Sequence, residues 1–168
     1  MKITSFEPII APDTRILILG TMPSEASLRA GEYYAHPRNA FWRIMSELFG
    51  FPGEAGYRER VKGLKSQGVS VWDVLQACER AGSLDASIQM RTAEPNDFRA
   101  FLAEHPGVQR ICFNGQKAAE LFTRLVLPHL PHTDDVPDLL VLPSTSPANA
   151  QLTYEQKVSQ WKKIKEGP

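Results

Sequence analysis

No stretch of this 168-residue chain approaches the roughly eighteen consecutive apolar residues that a membrane-spanning helix requires. The opening MKITSFEPII also lacks the basic start and long apolar core of a secretory leader, so a cytoplasmic protein with no membrane partner is expected. Cysteine is scarce. Cys78 and Cys112 sit in the apolar patterns VLQACERA and RICFNG and read as small buried hydrophobes in a reducing compartment, and two cysteines cannot build a four-cysteine metal site. A charge surplus is missing too. The 19 basic residues balance the 19 acidic ones, which argues against a generic nucleic-acid binder, although a local patch is enough to hold a short run of phosphates. No G-x-G-x-x-G follows the first predicted strand, and neither G-x-x-x-x-G-K-[ST] nor G-x-S-x-G occurs. Dinucleotide-binding, P-loop and ordinary α/β-hydrolase chemistry are thereby set aside.

What is present is the balance of a globular protein, 42% hydrophobic and 23% charged, with a length suited to one domain over residues 1–168. Arg15–Leu19 is an unbroken apolar run that reads as a strand buried on both faces. Phe41, Ile44, Met45, Leu48 and Phe49 recur at helical spacing up to Gly50, and a short charged helix is predicted over Tyr57–Gln67, ended by Gly68. Val69–Trp72 reads as a second strand. Asp73 follows, either a catalytic carboxylate or, more in keeping with its place, the cap of a helical turn begun by VLQAC. Gly82–Ala93 has no period and reads as a long connection, after which Asn96 is expected to cap a helix carrying Phe98, Phe101 and Leu102. Val108–Phe113 is a third strand, Gln116–Leu125 a helix with one apolar side, and Leu139–Leu142 a fourth strand. Thr153 to Gln156 has the form of a capping box opening a last helix.

Strands alternating with helices predict an α/β fold: a three-layer αβα sandwich around a central four-stranded, mainly parallel sheet. Ligands of such sheets bind beyond the carboxyl ends of the strands. The irregular polar residues collect there: Gly20–Asn39, Asp73, Asn114, and Ser144–Asn149. The first of these stretches is about twenty residues long, unusual in a compact domain without a function, although turn residues alone also account for it. His129, His132, Asp134 and Asp135 are of metal-ligand type, but the three prolines around them favour a solvated loop, and neither metal nor cofactor is expected.

The loop residues are polar, mostly uncharged and partly aromatic. Tyr33 and Tyr34 offer flat faces, Asn39 and Asn114 offer amides, and Ser144, Thr145 and Ser146 offer hydroxyls beside Pro147. Amides and an aromatic face suit a planar heterocycle, and hydroxyls at a loop entering a helix suit a phosphate. Together they suggest a nucleotide or nucleic acid.

GTMPS after the first strand, YAHPRNAFW, and LPSTSPANA after the last strand resemble the signature segments of the uracil-DNA glycosylase superfamily. Within it the chain is most similar to the hypoxanthine-DNA (deoxyinosine) glycosylases and more distantly to the mismatch-specific uracil/thymine enzymes, from about Arg15 to the end. The resemblance implies base flipping into a pocket at the sheet edge. It implies Tyr34 as the aromatic that stacks on the flipped base, with Thr21 and Met22 lining the pocket and Asn114 facing it. Asn39 matches the asparagine of an H-P-x-N segment and is implied as the main catalytic residue, with Ser144 contributing. Ser24, Ser146 and Pro147 are implied on the DNA backbone, and Ala148 and Asn149 fall where relatives fill the gap in the duplex. Met22 stands where many relatives carry an aspartate or asparagine that orients the water, and Ser144 where the strongest uracil enzymes carry a histidine. Robust uracil excision is therefore not expected, and the burden moves to Asn39.

Breaking an N-glycosidic bond builds positive charge on the sugar and negative charge on the departing base, so hydrogen bonds to the base and a held water suffice without a strong nucleophile. The expected partner is DNA containing a deaminated base, hypoxanthine before uracil, bound by a monomer. Two other functions fit the same residues: a hydrolase of free nucleosides or nucleotides, consistent with zero net charge, and a non-catalytic lesion binder, consistent with Met22.

Overall fold

The computed structural model describes residues 1–131 and 136–167. Short strand β1 (Lys2–Thr4) precedes β2 (Ile16–Gly20), which is followed by α1 (Glu25–Ala30), α2 (Phe41–Phe49) and α3 (Tyr57–Lys65). Strands β3 (Val69–Asp73), β4 (Leu75–Arg80) and β5 (Ile88–Pro95) come next, with a 3-10 turn at Asp85–Ser87 between the last two. Helix α4 (Phe98–Glu104), β6 (Arg110–Asn114), α5 (Gln116–Leu125), β7 (Asp138–Leu142) and α6 (Tyr154–Trp161) complete the order, with 3-10 turns after α5 and α6.

Four strands form one sheet in the order β3-β2-β6-β7, and every neighbouring pair in it is parallel. Strand alternation divides the core between its faces. Leu17, Leu19, Ile111 and Phe113 point to one side, where Phe98, Leu121 and Phe122 of α4 and α5 cover them. Ile18, Val69, Val71 and Cys112 point to the other, against Phe41, Ile44, Met45, Leu64, Val158 and Trp161 of α2, α3 and α6. This is the three-layer αβα sandwich; burial on both faces explains the apolar runs of β2 and β6, whereas edge strand β7 leaves Leu139 and Val141 exposed. All four strands run the same way, so their carboxyl ends, at Gly20, Asp73, Asn114 and Leu142, lie along one edge of the sheet.

Several local expectations are corrected. VLQAC is strand, not helix: Leu75–Arg80 pairs antiparallel with both β1 and β5 in a second, three-stranded sheet of order β1-β4-β5. Val74, Leu75, Ala77 and Cys78 lie at spacings that also fit a helix, and partners from distant sequence decide between the two. Gly82–Ala93 accordingly contains a 3-10 turn and most of β5. Asp73 caps no helix, since β4 begins two residues later. Asp97, not Asn96, caps α4, its side chain accepting from Ala100 N at 3.0 Å. Asn96 instead donates through Nδ2 to the Asp73 carbonyl oxygen at 2.8 Å, fixing the end of β3. A six-residue helix, α1, lies inside the stretch that showed no period; Ser24 caps it and Gly31, in the left-handed region, ends it. The capping box at Thr153 forms, with Gln156 reciprocating.

Candidate active site

The carboxyl ends of the parallel strands open into a cavity of about 310 Å³, at the small end of ligand sites and suited to one flat heterocycle with its sugar. Its walls are the two loops singled out in the sequence. Thr21, Met22, Ser24, Tyr34 and Asn39 line it from the first, Asn114 from the end of β6, and Ser144, Ser146, Ala148 and Asn149 from the last. Pro147 does not line the cavity and lies half-buried in the turn beside it. His132, Asp134 and Asp135 lie outside the described residues, and His129 is exposed at the end of a 3-10 turn. Among the described residues no cluster of three or more His, Cys, Asp or Glu side chains could hold a metal ion, and no helix is long and apolar enough to cross a membrane.

One backbone hydrogen bond joins the two loops, from Ala40 N to the Thr145 carbonyl oxygen at 3.0 Å. It sets Asn39 beside the Ser144–Ser146 segment. The Asn39 Oδ1 accepts from Phe41 N at 2.9 Å, so the start of α2 orients the amide while Nδ2 remains without a side-chain partner among the described residues. Asn114 is more constrained. Its Nδ2 donates to Thr145 Oγ1 and its Oδ1 accepts from Thr145 N, both at 2.9 Å, leaving one N–H and one lone pair for a ligand. Ser144 and Ser146 spend their hydroxyl oxygens on Ser146 N and Ala148 N, shaping the turn. Beneath it Lys157 is buried and donates to the Ser146 carbonyl oxygen at 3.4 Å, its pKa lowered by burial.

The two tyrosines take different parts. Tyr33 is a core residue whose hydroxyl donates to the Glu7 carbonyl oxygen at 3.0 Å. Tyr34 has φ 55, a left-handed conformation uncommon for an aromatic residue, and its ring stacks on Phe41 with centroids 4.0 Å apart. The strained backbone and the stack hold one ring face against the core while the residue lines the cavity. Its hydroxyl is buried and has no hydrogen-bond partner among the described residues. Burial first, and the nearby Asp73 second, raise its pKa.

Asp73, which the sequence offered as a catalytic carboxylate but more readily as a helix cap, is part of this site. Asp73 lines the cavity, is 3% exposed, and its Oδ2 has no partner among the described residues. Burial and then the charge of Asp85 push its pKa up to about 7, against the opposing pull of Arg80. Asp85 also lines the cavity and accepts from Thr21 Oγ1 at 3.1 Å; burial raises its pKa as well. Arg80 is buried and donates to the Pro23 and Gly82 carbonyl oxygens at 2.6 and 2.8 Å, tying the first loop to the 82–87 segment. Sequence patterning missed Asp85, Arg80 and Lys157. The unusual length of the 82–93 connection was the one local signal for Asp85; Arg80, at the end of β4, and Lys157, in α6, had none.

Gly20 makes room for this floor. A Cβ there would lie 2.7 Å from Asp73 Oδ1 and 2.9 Å from Tyr34 Oη. Gly20→Ala is expected to displace both groups at a cost of about 1–3 kcal/mol and to weaken ligand capture. Thermal unfolding together with equilibrium binding to lesion-containing DNA measures both effects.

A parallel α/β sandwich with a small polar cavity at its sheet edge, one aromatic wall and a ring of amides and hydroxyls has the shape and chemistry that suit a planar heterocycle. The sequence profile described as "Uracil DNA glycosylase superfamily" matches residues 7–165. A hypoxanthine DNA glycosylase of Methanosarcina acetivorans is 34% identical over 160 residues, covering 95% of each chain. One from Methanosarcina barkeri is 36% identical over 121 residues, 71% of this chain and 75% of the relative. The solution structure of an M. acetivorans protein assigned to the uracil DNA glycosylases superposes with a TM-score of 0.79 at 32% identity, covering 99% of this chain and 100% of that one. The chain belongs to the uracil DNA glycosylase superfamily.

Proposed function

We propose that the protein is a monofunctional DNA glycosylase of base-excision repair that flips a deaminated base, hypoxanthine foremost, into the cavity and hydrolyses its N-glycosidic bond with water. The observation that carries this is the convergence of Tyr34, Asn39, Asn114 and the Ser144–Asn149 turn on one base-sized cavity. The similarity to two proteins named hypoxanthine DNA glycosylase supports the choice of base. Tyr34 stacks on the base with the ring face that Phe41 leaves free. The Asn39 Nδ2 holds the water or the developing charge on the base, and Ser144 supports it across the loop junction. Thr21, Met22 and Asn114 shape the pocket around the base edge. Ser24, Ser146 and Pro147 approach the flanking phosphates, and Ala148 and Asn149, on the exposed turn, enter the gap in the duplex. One chain supplies both walls, so a monomer working as a single unit over residues 1–168 is sufficient. Two free, buried cysteines suit the reducing cytoplasm.

Incubation with duplexes bearing one deoxyinosine, one deoxyuridine or no lesion, followed by alkali, tests this. Strand breaks at deoxyinosine, fewer at deoxyuridine and none in the control are expected. Binding without breaks would make the protein a lesion reader, and turnover of free nucleosides alone would make it a nucleoside hydrolase.

A further inference from the structure

The glycosylase chemistry outlined above leaves two polar atoms at the cavity floor unexplained. Asp73 Oδ2 is buried without a hydrogen-bond partner among the described residues, and the buried Tyr34 Oη has at most the nearby Asn114 amide, with no hydrogen bond of good geometry. A buried polar atom left unpaired is destabilising, so such atoms on one cavity floor point to a ligand that pairs with them. Asp73 Oδ1 and Tyr34 Oη also crowd the same point, within 3 Å of where a Gly20 side chain would begin. The fold thus keeps a carboxyl and a phenol together at the deep end of a base-sized pocket.

We propose that Asp73 is the general acid of the reaction, delivering its proton to a ring nitrogen of the departing purine as the glycosidic bond breaks. The inference rests on the glycosylase function proposed above. In the step, the C1′–N9 bond breaks with its electron pair going to the base, and the Asp73 O–H proton passes to the imidazole nitrogen N7. Hypoxanthine leaves neutral and Asp73 becomes a carboxylate. Water adds to the sugar cation at C1′ and loses one proton to solvent, and Asp73 regains one from solvent once the base has gone. A purine presents a basic imidazole nitrogen remote from the bond that breaks, which a deaminated pyrimidine lacks. An acid therefore has most to contribute with a purine.

The surroundings of Asp73 suit a proton donor. Asp85, on the segment before β5, faces it with like charge and favours the neutral acid; Arg80 on β4 opposes this, spending Nε and Nη2 on carbonyl oxygens while its buried Nη1 has no partner among the described residues. Tyr34 and Tyr33 from the first loop stay protonated. With its pKa pushed up to about 7, a substantial fraction of Asp73 is protonated at neutral pH, where an ordinary carboxyl would be ionised.

The test is single-turnover release of hypoxanthine from a deoxyinosine duplex between about pH 5 and about pH 9, by wild type and by the isosteric Asp73→Asn. Wild type should slow above about pH 7 as the acid ionises. Asp73→Asn should be about 10²–10⁴-fold slower and should lack that alkaline limb. A variant within a few-fold of wild type, or one that keeps the same limb, overturns the assignment while leaving the glycosylase function standing. A wild-type protein that releases no base overturns both. Thermal unfolding supplies a readout independent of activity. Burying an ionised Asp73 destabilises the folded state, so Asp73→Asn should melt above wild type at alkaline pH, with the gap closing as pH falls from about 7 toward the ordinary carboxylate range. A gap independent of pH overturns the protonated state on which the proposal depends.

Discussion

Asn39→Ala is expected to lower single-turnover excision of hypoxanthine by about 10²–10³-fold, the loss that follows removal of one preorganised donor from a site where charge develops. The size of the effect follows from how the amide is held. The start of α2 uses the Asn39 Oδ1, so Nδ2 is aimed without the entropy cost of a freely turning side chain. Alanine removes the donor and also the local hydrogen bond from Phe41 N, worth about 1 kcal/mol. Asn39→Asp separates the two effects. It keeps an oxygen for Phe41 N but replaces the donor with an acceptor, so excision should fall as far as in the alanine variant while the unfolding midpoint stays near that of wild type. Activity of Asn39→Asp close to wild type would remove the Nδ2 donor from catalysis.

The largest effect on stability is expected at Trp161. This residue is fully buried and packs edge-on to Phe41, with centroids 6.4 Å apart, and its indole N–H donates to the Pro143 carbonyl oxygen at 2.8 Å. Phe41 supports the Tyr34 ring, and Pro143 precedes the Ser144–Asn149 turn, so one side chain braces both walls of the cavity. Trp161→Ala should cost about 3–5 kcal/mol, the range for emptying a large aromatic site in a core. Trp161→Phe should recover most of the packing but leave the Pro143 carbonyl unpaired, at about 1–3 kcal/mol. Urea denaturation measures both. Because the walls share this brace, excision by Trp161→Phe should fall at temperatures where the protein is still folded. Full activity there would show that the turn holds its shape without the indole hydrogen bond.

The first three strands of the central sheet were legible because they are buried on both faces. Ile16–Leu19, Val69–Trp72 and Ile111–Phe113 are apolar runs bounded by turn residues, and such a run carries its assignment locally. The first and last loops were legible for the complementary reason: no packing period explains GTMPS, YAHPRN or PSTSPANA. What sequence could not weigh was competition between a local period and a distant partner. Leu75–Arg80 fits a helix until Lys2–Thr4 and Ile88–Pro95 are brought alongside, and the added ladders outweigh any local preference. The misplacement of Asp73 follows from this, because a helix after β3 gave the carboxyl a capping role that the strand removes.

By itself, then, the sequence determined a parallel α/β sandwich, the edge at which its cavity opens, and the two loops that carry Tyr34, Asn39 and the serine-rich turn, since each of these depends on composition and order along the chain. Only the tertiary structure decided how the floor of the cavity is built. Asp73, Asp85 and Tyr34 lie far apart in sequence and meet there because β3, the segment before β5 and the first loop converge at one end of the sheet. Proton affinity at Asp73 depends on burial and on charges brought near by folding, and neither is a property of the neighbouring residues in the chain.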